Sequence, residues 1–195
     1  DEESSKIWVE GYVVRDPSRV VSNFRAEDSL GNELEKYNVV GISGIDTRAL
    51  TRHLRSIGVM RAGVFSGSEA ERSIDQLLDE VRSGQKMAGR SLSAEVTTST
   101  EVFSAHRGDR VGHVAILDLG CKASTIEHMN DRGLDVTLYP AGTTAEELLS
   151  KSPDAVFYSN GPGDPAAADA QVTELRKVLK SGTPFFGICF GNQLL

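Results

Sequence analysis

The run Gly187-Ile188-Cys189-Phe190-Gly191-Asn192-Gln193-Leu194-Leu195 decides how the second half of this chain is built. Leading into it, Thr183-Pro184-Phe185-Phe186 is too rich in large apolar side chains for a loop and reads as a buried strand ending at Ile188. Cys189 falls where that strand stops, and Asn192-Gln193-Leu194-Leu195 reads as the start of a helix. Glycines on both sides of the cysteine permit a tight turn with backbone angles that a β-carbon resists. Strand, turn and helix together make a nucleophile elbow with cysteine at its tip. A thiol at a helix N-terminus feels the partial positive charge of that end, which favours the thiolate, the reactive form. The backbone N–H of the next residue, Phe190, is the expected oxyanion donor. A bare G-x-C-x-G also leaves open a buried structural cysteine at a strand end.

Upstream of the elbow the chain alternates regularly. Residues 113–119 (HVAILDL), 135–139 (DVTLY) and 155–159 read as strands, and residues 124–132 as a helix closed by Gly133. Thr144 and Glu147 form a capping-box pair opening a helix through Leu148 and Leu149, and Pro153-Asp154 breaks it. The loop Asn160-Gly161-Pro162-Gly163-Asp164-Pro165 follows, then a helix with Val172, Leu175, Val178 and Leu179 on one side. Such alternation predicts a parallel sheet with helices on both faces. Ligands in open parallel sheets bind at the carboxyl ends of the strands, so the glycine loop and Cys189 are expected to face one crevice. Gly161 and Gly163 there offer main-chain groups that a side chain would block, although an ordinary Gly-Pro turn has the same composition.

The first half is less regular. Residues 7–14 read as a strand with a possible bulge at Gly11, residues 27–37 as a helix, and residues 39–42 as a short strand. Asp46-Thr47 caps a helix whose Leu50, Leu54 and Ile57 share one face and whose stop is Gly58. Arg48, Arg52 and Arg55 lie on another face, which reads as a solvated surface against the alternative of a partner-docking patch. A strand over 59–65 and an amphipathic helix over 68–82 follow. From 84 to 112 the pattern weakens, with 95–100 its one β-like piece. The domain boundary is placed there, near Gly108, dividing the chain into 1–108 and 109–195.

At 195 residues, 39% hydrophobic and 25% charged, the composition is that of an ordinary globular protein, and a net charge of −7 argues against a nucleic-acid partner. No run has the length of a membrane span and no signal peptide is recognisable, although the chain begins with Asp-Glu-Glu rather than Met. Two cysteines, Cys121 and Cys189, make neither a disulfide framework nor a metal cluster, which suits a reducing, cytoplasmic compartment. No G-x-x-x-x-G-K-[ST] phosphate loop occurs.

GICFGNQLL resembles the elbow of class I glutamine amidotransferases, G-[IV]-C-x-G-H-Q, whose cysteine forms a thioester with the glutamine side-chain carbonyl. Paired with SNGPGDP it resembles the small, glutamine-hydrolysing subunit of carbamoyl phosphate synthase. DEESS at the start, GIDTRALTRHLR, and ILDLGCK in place of a D-[FLY]-G-x-K turn agree with that family. The resemblance implies a mixed α/β small-subunit domain followed by the first half of a flavodoxin-like amidotransferase domain. It implies Cys189 as nucleophile, Gly161 and Phe190 as backbone oxyanion donors, and Gly163 and Gln193 as glutamine contacts. It also implies a large-subunit partner that uses ammonia, bicarbonate and ATP for carbamoyl phosphate in arginine and pyrimidine synthesis. By the same resemblance this chain carries no cofactor of its own, ATP and Mg belonging to the large subunit of a cytoplasmic heterodimer. Asn192 stands where many members have His, and Thr125-Ile126 where Asn-Ile is usual. Another class I amidotransferase, feeding anthranilate or purine synthesis, is the alternative enzyme, against which the extra first region counts. A non-catalytic docking module for a synthetase subunit is the alternative of another class.

Thioester chemistry needs a base for the thiol proton. Of the four histidines, His53, His106, His113 and His128, none is placed beside Cys189, and in the family the His and Glu partners lie well downstream. The expectation is a chain truncated at both ends, without glutaminase turnover of its own, whose cut final helix leaves apolar surface exposed.

Overall fold

A computed structural model describes residues 3–195, so Asp1 and Glu2 of the DEESS motif lie outside the described residues. These separate into two units, 5–86 and 87–195, with Glu3 and Ser4 belonging to the second.

In the first unit, β1 (Gly11–Val13) pairs in parallel with β2 (Val40–Ile42). The crossover carries α1 (Leu30–Lys36), whose N-terminus is capped by Ser29 accepting the N–H of Asn32. Asp46 caps α2 (Thr47–Ile57) by accepting the Ala49 N–H at 2.9 Å, and Gly58 ends it at φ 94°. A 3-10 turn (Gly67–Glu71) precedes α3 (Ile74–Ser83), which opens with a Ser73/Gln76 capping box, so the helix expected over 68–82 is two elements. The strand expected over 7–14 shrinks to three residues, and Gly11 is no bulge: it pairs in register with Val40, and a Cβ on it would meet Val64 at 3.0 Å. Residues 59–65 form no strand, because Arg61 ties them to the carbonyls of Arg82 and Gly84 and they have no ladder partner. Among the described residues of this unit none is buried, and Leu50, Leu54 and Ile57 on α2 are all exposed.

The second unit is built on a five-stranded sheet in the order β3-β5-β4-β6-β7. Its strands are β3 (Val102–Ser104), β4 (Gly112–Leu117), β5 (Leu134–Tyr139), β6 (Ala155–Tyr158) and β7 (Phe185–Gly187). The last four are parallel, while β3 runs antiparallel along β5, with Val102 opposite Leu138 and Ser104 opposite Val136. That edge strand departs from strict alternation. The β-like piece at 95–100 is instead the short helix α4 (Ser93–Val96) and a turn, with the strand following at Val102. Through these elements the weakly patterned stretch packs with the sheet, and the units divide after Lys86 rather than near Gly108.

Both faces of the sheet are covered, as the continuous apolar runs require. On one face Ala115 and Leu117 of β4 with Val156 and Tyr158 of β6 pack against α6 (Ala145–Leu149), α7 (Asp169–Ser181) and α8 (Phe190–Gln193) through Leu148, Leu175, Val178 and Phe190. On the other, Val114, Ile116, Val136 and Phe157 pack against Ile126 and Met129 of α5 (Ala123–Asn130). Each of the Val, Leu, Ile and Phe side chains among these contributes about 1.5–3 kcal/mol by leaving water. β7 is an edge strand, not the buried one expected: it pairs only with β6 among the described residues, and Phe186 is 62% exposed. Its aromatic pair straddles the sheet, Phe185 edge-on to Tyr158 at 5.3 Å and Phe186 stacked on Phe157 at 6.0 Å. The parallel strands run β5-β4-β6-β7, the flavodoxin-like 2-1-3-4 order, so connections diverge between β4 and β6 and leave a ligand position at the carboxyl ends of those strands.

Candidate functional site

At that position two loops are bonded to each other. Asp118, buried just beyond β4, accepts the N–H of Gly120 at 2.9 Å and of Cys121 at 2.7 Å on one oxygen, and that of Thr98 at 2.6 Å on the other. From the end of β6, the Ser159 hydroxyl accepts the Leu119 N–H at 2.9 Å and donates to the Asn160 carbonyl at 2.8 Å. Asn160 donates its side-chain N–H to the Gly120 carbonyl at 2.8 Å. Gly161 then lies against the first loop so closely that a Cβ would sit 1.9 Å from the Leu119 oxygen. Gly163, at φ 117°, faces another segment, where a Cβ would sit 3.1 Å from the Arg90 carbonyl oxygen and the Leu92 nitrogen. Gly161 is therefore required by the close approach of backbone to backbone, and Gly163 by its positive φ together with a tight fit against the 90–92 backbone.

Cys189 sits at the tip of the elbow, exposed, at φ 53° and ψ −112°, in the N-cap position of α8. A non-glycine residue held there carries roughly 1–3 kcal/mol of strain, which the surrounding bonds must impose. They are specific: Ile188 N–H donates to the Tyr158 carbonyl at 3.1 Å and Gly191 N–H to the Ser159 carbonyl at 3.1 Å. Asn192 and Gln193 N–H groups donate to the Cys189 carbonyl at 3.1 and 3.0 Å. The flanking glycines serve a different purpose from the one expected. Neither takes a positive φ; the strained residue is the cysteine. Gly191 is needed because a Cβ would lie 2.2 Å from the Tyr158 oxygen, and Gly187 because a Cβ would lie 2.7 Å from the Gly191 carbonyl. Phe190 is buried, and as the first residue of α8 its N–H has no carbonyl a turn earlier to bond. Gln193 and Asn192 are exposed on α8.

The fold thus brings Gly161, Gly163, Cys189, Phe190 and Gln193 to the carboxyl edge of adjacent strands β6 and β7. Cys121 shares that edge, half-buried, and burial, then the Asp118 charge, pushes its thiol up to about 12. Of the two cysteines only Cys189 is an exposed thiol.

The segment 89–98 also borders this edge and carries no motif. Thr98 reaches Asp118, Thr97 accepts the Ala141 N–H at 2.9 Å from the loop after β5, and Gly89 and Arg90 bond Asp164. No periodicity marks these contacts, which span from 20 to 75 positions.

The histidines fall elsewhere. His106 Nδ1 lies 2.7 Å from Asp135 at the start of β5, and Arg110 donates to the same carboxylate at 2.6 Å. The Arg110 hydrogen bond, then that of His106, holds Asp135 well below the usual carboxylate range. His113 is buried at the start of β4 with Nε2 2.8 Å from the Thr137 hydroxyl, and burial lowers its pKa. Both rings are at the amino-terminal end of the sheet, opposite Cys189. His128 is exposed in the last turn of α5, and His53 belongs to α2 of the first unit. Among the described residues no cluster of three or more His, Cys, Asp or Glu side chains is arranged to hold a metal, and no helix is long and apolar enough to cross a membrane.

Two family models match in tandem: carbamoyl-phosphate synthase small chain, CPSase domain, over residues 1–64, and glutamine amidotransferase class-I over residues 115–195. The chain is 54% identical over 195 residues to a carbamoyl phosphate synthase small chain of Streptomyces avermitilis, all of this chain aligning with 51% of that protein. It is 50% identical over 207 aligned positions to the small chain of Bifidobacterium longum, again all of this chain against 51% of the relative. With that of Mycolicibacterium paratuberculosis the identity is 50% over 190 residues, 97% of this chain and 51% of the relative. The chain spans about half the length of the curated relatives it matches. The order of the two matched domains, the elbow at Cys189 and similarity running along the whole sequence assign these 195 residues to the carbamoyl phosphate synthase small-chain family.

Proposed function

We propose that the protein to which this chain belongs hydrolyses glutamine to glutamate and ammonia and hands the ammonia to a synthetase large subunit that makes carbamoyl phosphate. The observation that carries this reading is the strained, exposed Cys189, tied by the Ile188 and Gly191 N–H groups to residues 158–159, which lead directly into the Gly161-Pro162-Gly163 loop. Nucleophile and oxyanion loop are thereby held in one frame, the arrangement that acyl transfer requires.

In the proposed cycle the Cys189 sulfur attacks the side-chain carbonyl carbon of glutamine, and the carbonyl oxygen becomes an oxyanion received by the N–H groups of Gly161 and Phe190. The C–N bond then breaks, the nitrogen leaves as ammonia with the proton taken from the thiol, and a thioester remains. Water cleaves the thioester to glutamate and regenerates the thiol. Gly163 and Gln193 hold the amino-acid end of the substrate. The base that moves the protons comes from outside the described residues, whose sheet-borne histidines stand at the opposite end, so the 195 residues alone are expected not to turn over. ATP and Mg²⁺ belong to the large subunit, and the product serves arginine and pyrimidine synthesis.

The test is labelling of Cys189 by a glutamine-mimicking diazo-ketone, read by mass spectrometry, with free glutamine as competitor and Cys121 as internal control. Selective labelling of Cys189 that glutamine suppresses supports the reading. Labelling of both cysteines alike, insensitive to glutamine, overturns it.

A further inference from the structure

The Gly161-Pro162-Gly163 loop is gripped on two sides. On one, Asn160 and Gly161 seat it on residues 119–120. On the other, the grip passes through Asp164, a residue outside the proposed cycle. One Asp164 oxygen accepts the Gly89 N–H at 2.8 Å, the other accepts the Ala166 N–H at 3.0 Å, and the Asp164 N–H donates to the Arg90 carbonyl at 3.0 Å. Three bonds thus converge on the residue that follows Gly163, whose own backbone lies against Arg90 and Leu92 at φ 117°.

We infer that Asp164 is a positioning residue for the oxyanion loop, clamping Gly163 to the 89–92 segment so that the loop N–H groups stay aimed at the position of the developing charge. This assignment rests on the glutamine-hydrolysis reading. Asp164 acts through the backbone and touches no reacting atom. Its two acceptors are used by two donors from different segments, a demand that a carboxylate meets with one oxygen each and a carboxamide, with one oxygen in all, does not. Backbone N–H donation from Gly89, then from Ala166, keeps the carboxyl below its ordinary pKa, so both oxygens remain acceptors at neutral pH. The clamp makes the motif-free segment 89–92 part of the catalytic frame, with Gly89 75 positions from Asp164.

The experiment uses Asp164→Asn and Asp164→Ser in the intact protein, each of which loses one of the two acceptors. Three readouts separate positioning from folding: kcat and KM for glutamine, affinity for the γ-aldehyde of glutamate, and the rate of Cys189 alkylation by iodoacetamide. The aldehyde accepts the Cys189 sulfur at carbon and the thiol proton at oxygen, giving a tetrahedral adduct whose oxygen needs the loop donors. Iodoacetamide takes the Cys189 sulfur at a saturated carbon as iodide leaves and forms no oxyanion. The expected result is a fall in kcat of roughly 10- to 100-fold, a smaller rise in glutamine KM because Gly163 also holds the amino-acid end of the substrate, and aldehyde binding weakened roughly tenfold. Iodoacetamide should react within about twofold of wild type. Unchanged kcat and aldehyde affinity, an alkylation rate that falls in step with kcat, or failure of both variants to fold overturns the positioning role. If wild type neither hydrolyses glutamine nor takes the aldehyde at Cys189, it is the glutamine reading that has failed.

Discussion

Replacing Gly161 with alanine places a methyl group 1.9 Å from the Leu119 carbonyl oxygen and 2.7 Å from its carbon, where real β-carbons stay beyond 3.0 Å. The obstacle is backbone held by Ser159 and Asp118, with no flexible side chain to swing aside. The loop must therefore retreat by roughly 1 Å, and a misplacement of that size in a positioned group costs on the order of 10²-fold in rate. Loss of one oxyanion donor gives about 10²–10³-fold independently, so the two estimates meet near 10²-fold, about 2.7 kcal/mol in barrier height. Overpacking adds a stability cost of about 1–3 kcal/mol, which thermal melting will report separately. The assay is ammonia release from glutamine by the intact protein, with kcat and KM resolved, and Gly142→Ala as comparator. Gly142 lies in the loop after β5 with nothing within 4 Å of its Cβ position and no positive φ, so its alanine variant should keep wild-type kcat. A folded Gly161→Ala protein whose kcat stays within about threefold of wild type would refute both the contact and the oxyanion role.

The remaining predictions concern the second unit. With its thiol pushed up to about 12, Cys121 is only about 10⁻⁴ thiolate at pH 8, so iodoacetamide should label exposed Cys189 and spare Cys121 until the protein is unfolded; early labelling of Cys121 contradicts its buried setting. Burial lowers the folded pKa of His113 below its unfolded value, so its contribution to stability is complete above about 6.5 and is lost as pH falls through that value toward the folded pKa. His113→Gln, which can still bond Thr137, should flatten the drop in urea midpoint between about pH 7 and about pH 5; an unchanged slope rules His113 out as its source. Thr144→Ala removes the hydroxyl that accepts the Glu147 N–H and half of the capping box, which should destabilise the unit by about 1 kcal/mol in urea titration, against no change if α6 is held by Leu148 packing alone.

Local elements were readable because their causes are local. The Thr144 and Glu147 capping box, the Asp46 cap and the alternation of strands and helices in the second half each depend on residues within a few positions of one another. The β-branched Val96-Thr97-Thr98 was misleading: α4 ends there, and the Thr98 N–H is taken by Asp118, twenty positions away. The Phe185-Phe186 pair looked like a buried strand because large apolar residues do not say whether a strand has one neighbour or two; in the fold β7 has only β6 among the described residues. The clamp between Asp164 and Gly89 left no trace in either segment's pattern.

By itself the sequence determined the elbow at 187–195, the glycine loop at 160–165 and the parallel α/β architecture that carries both to the carboxyl edge, since each follows from short-range geometry and hydrophobic period. Only the tertiary structure decided what the glycines are for and where the strain lies. Gly161 and Gly191 are required by the carbonyls of Leu119 and Tyr158, and Cys189 alone among the elbow residues takes the positive φ. Those carbonyls come from other strand ends, and a backbone-to-backbone contact depends on how the strands are ordered in space, which no window of neighbouring residues contains.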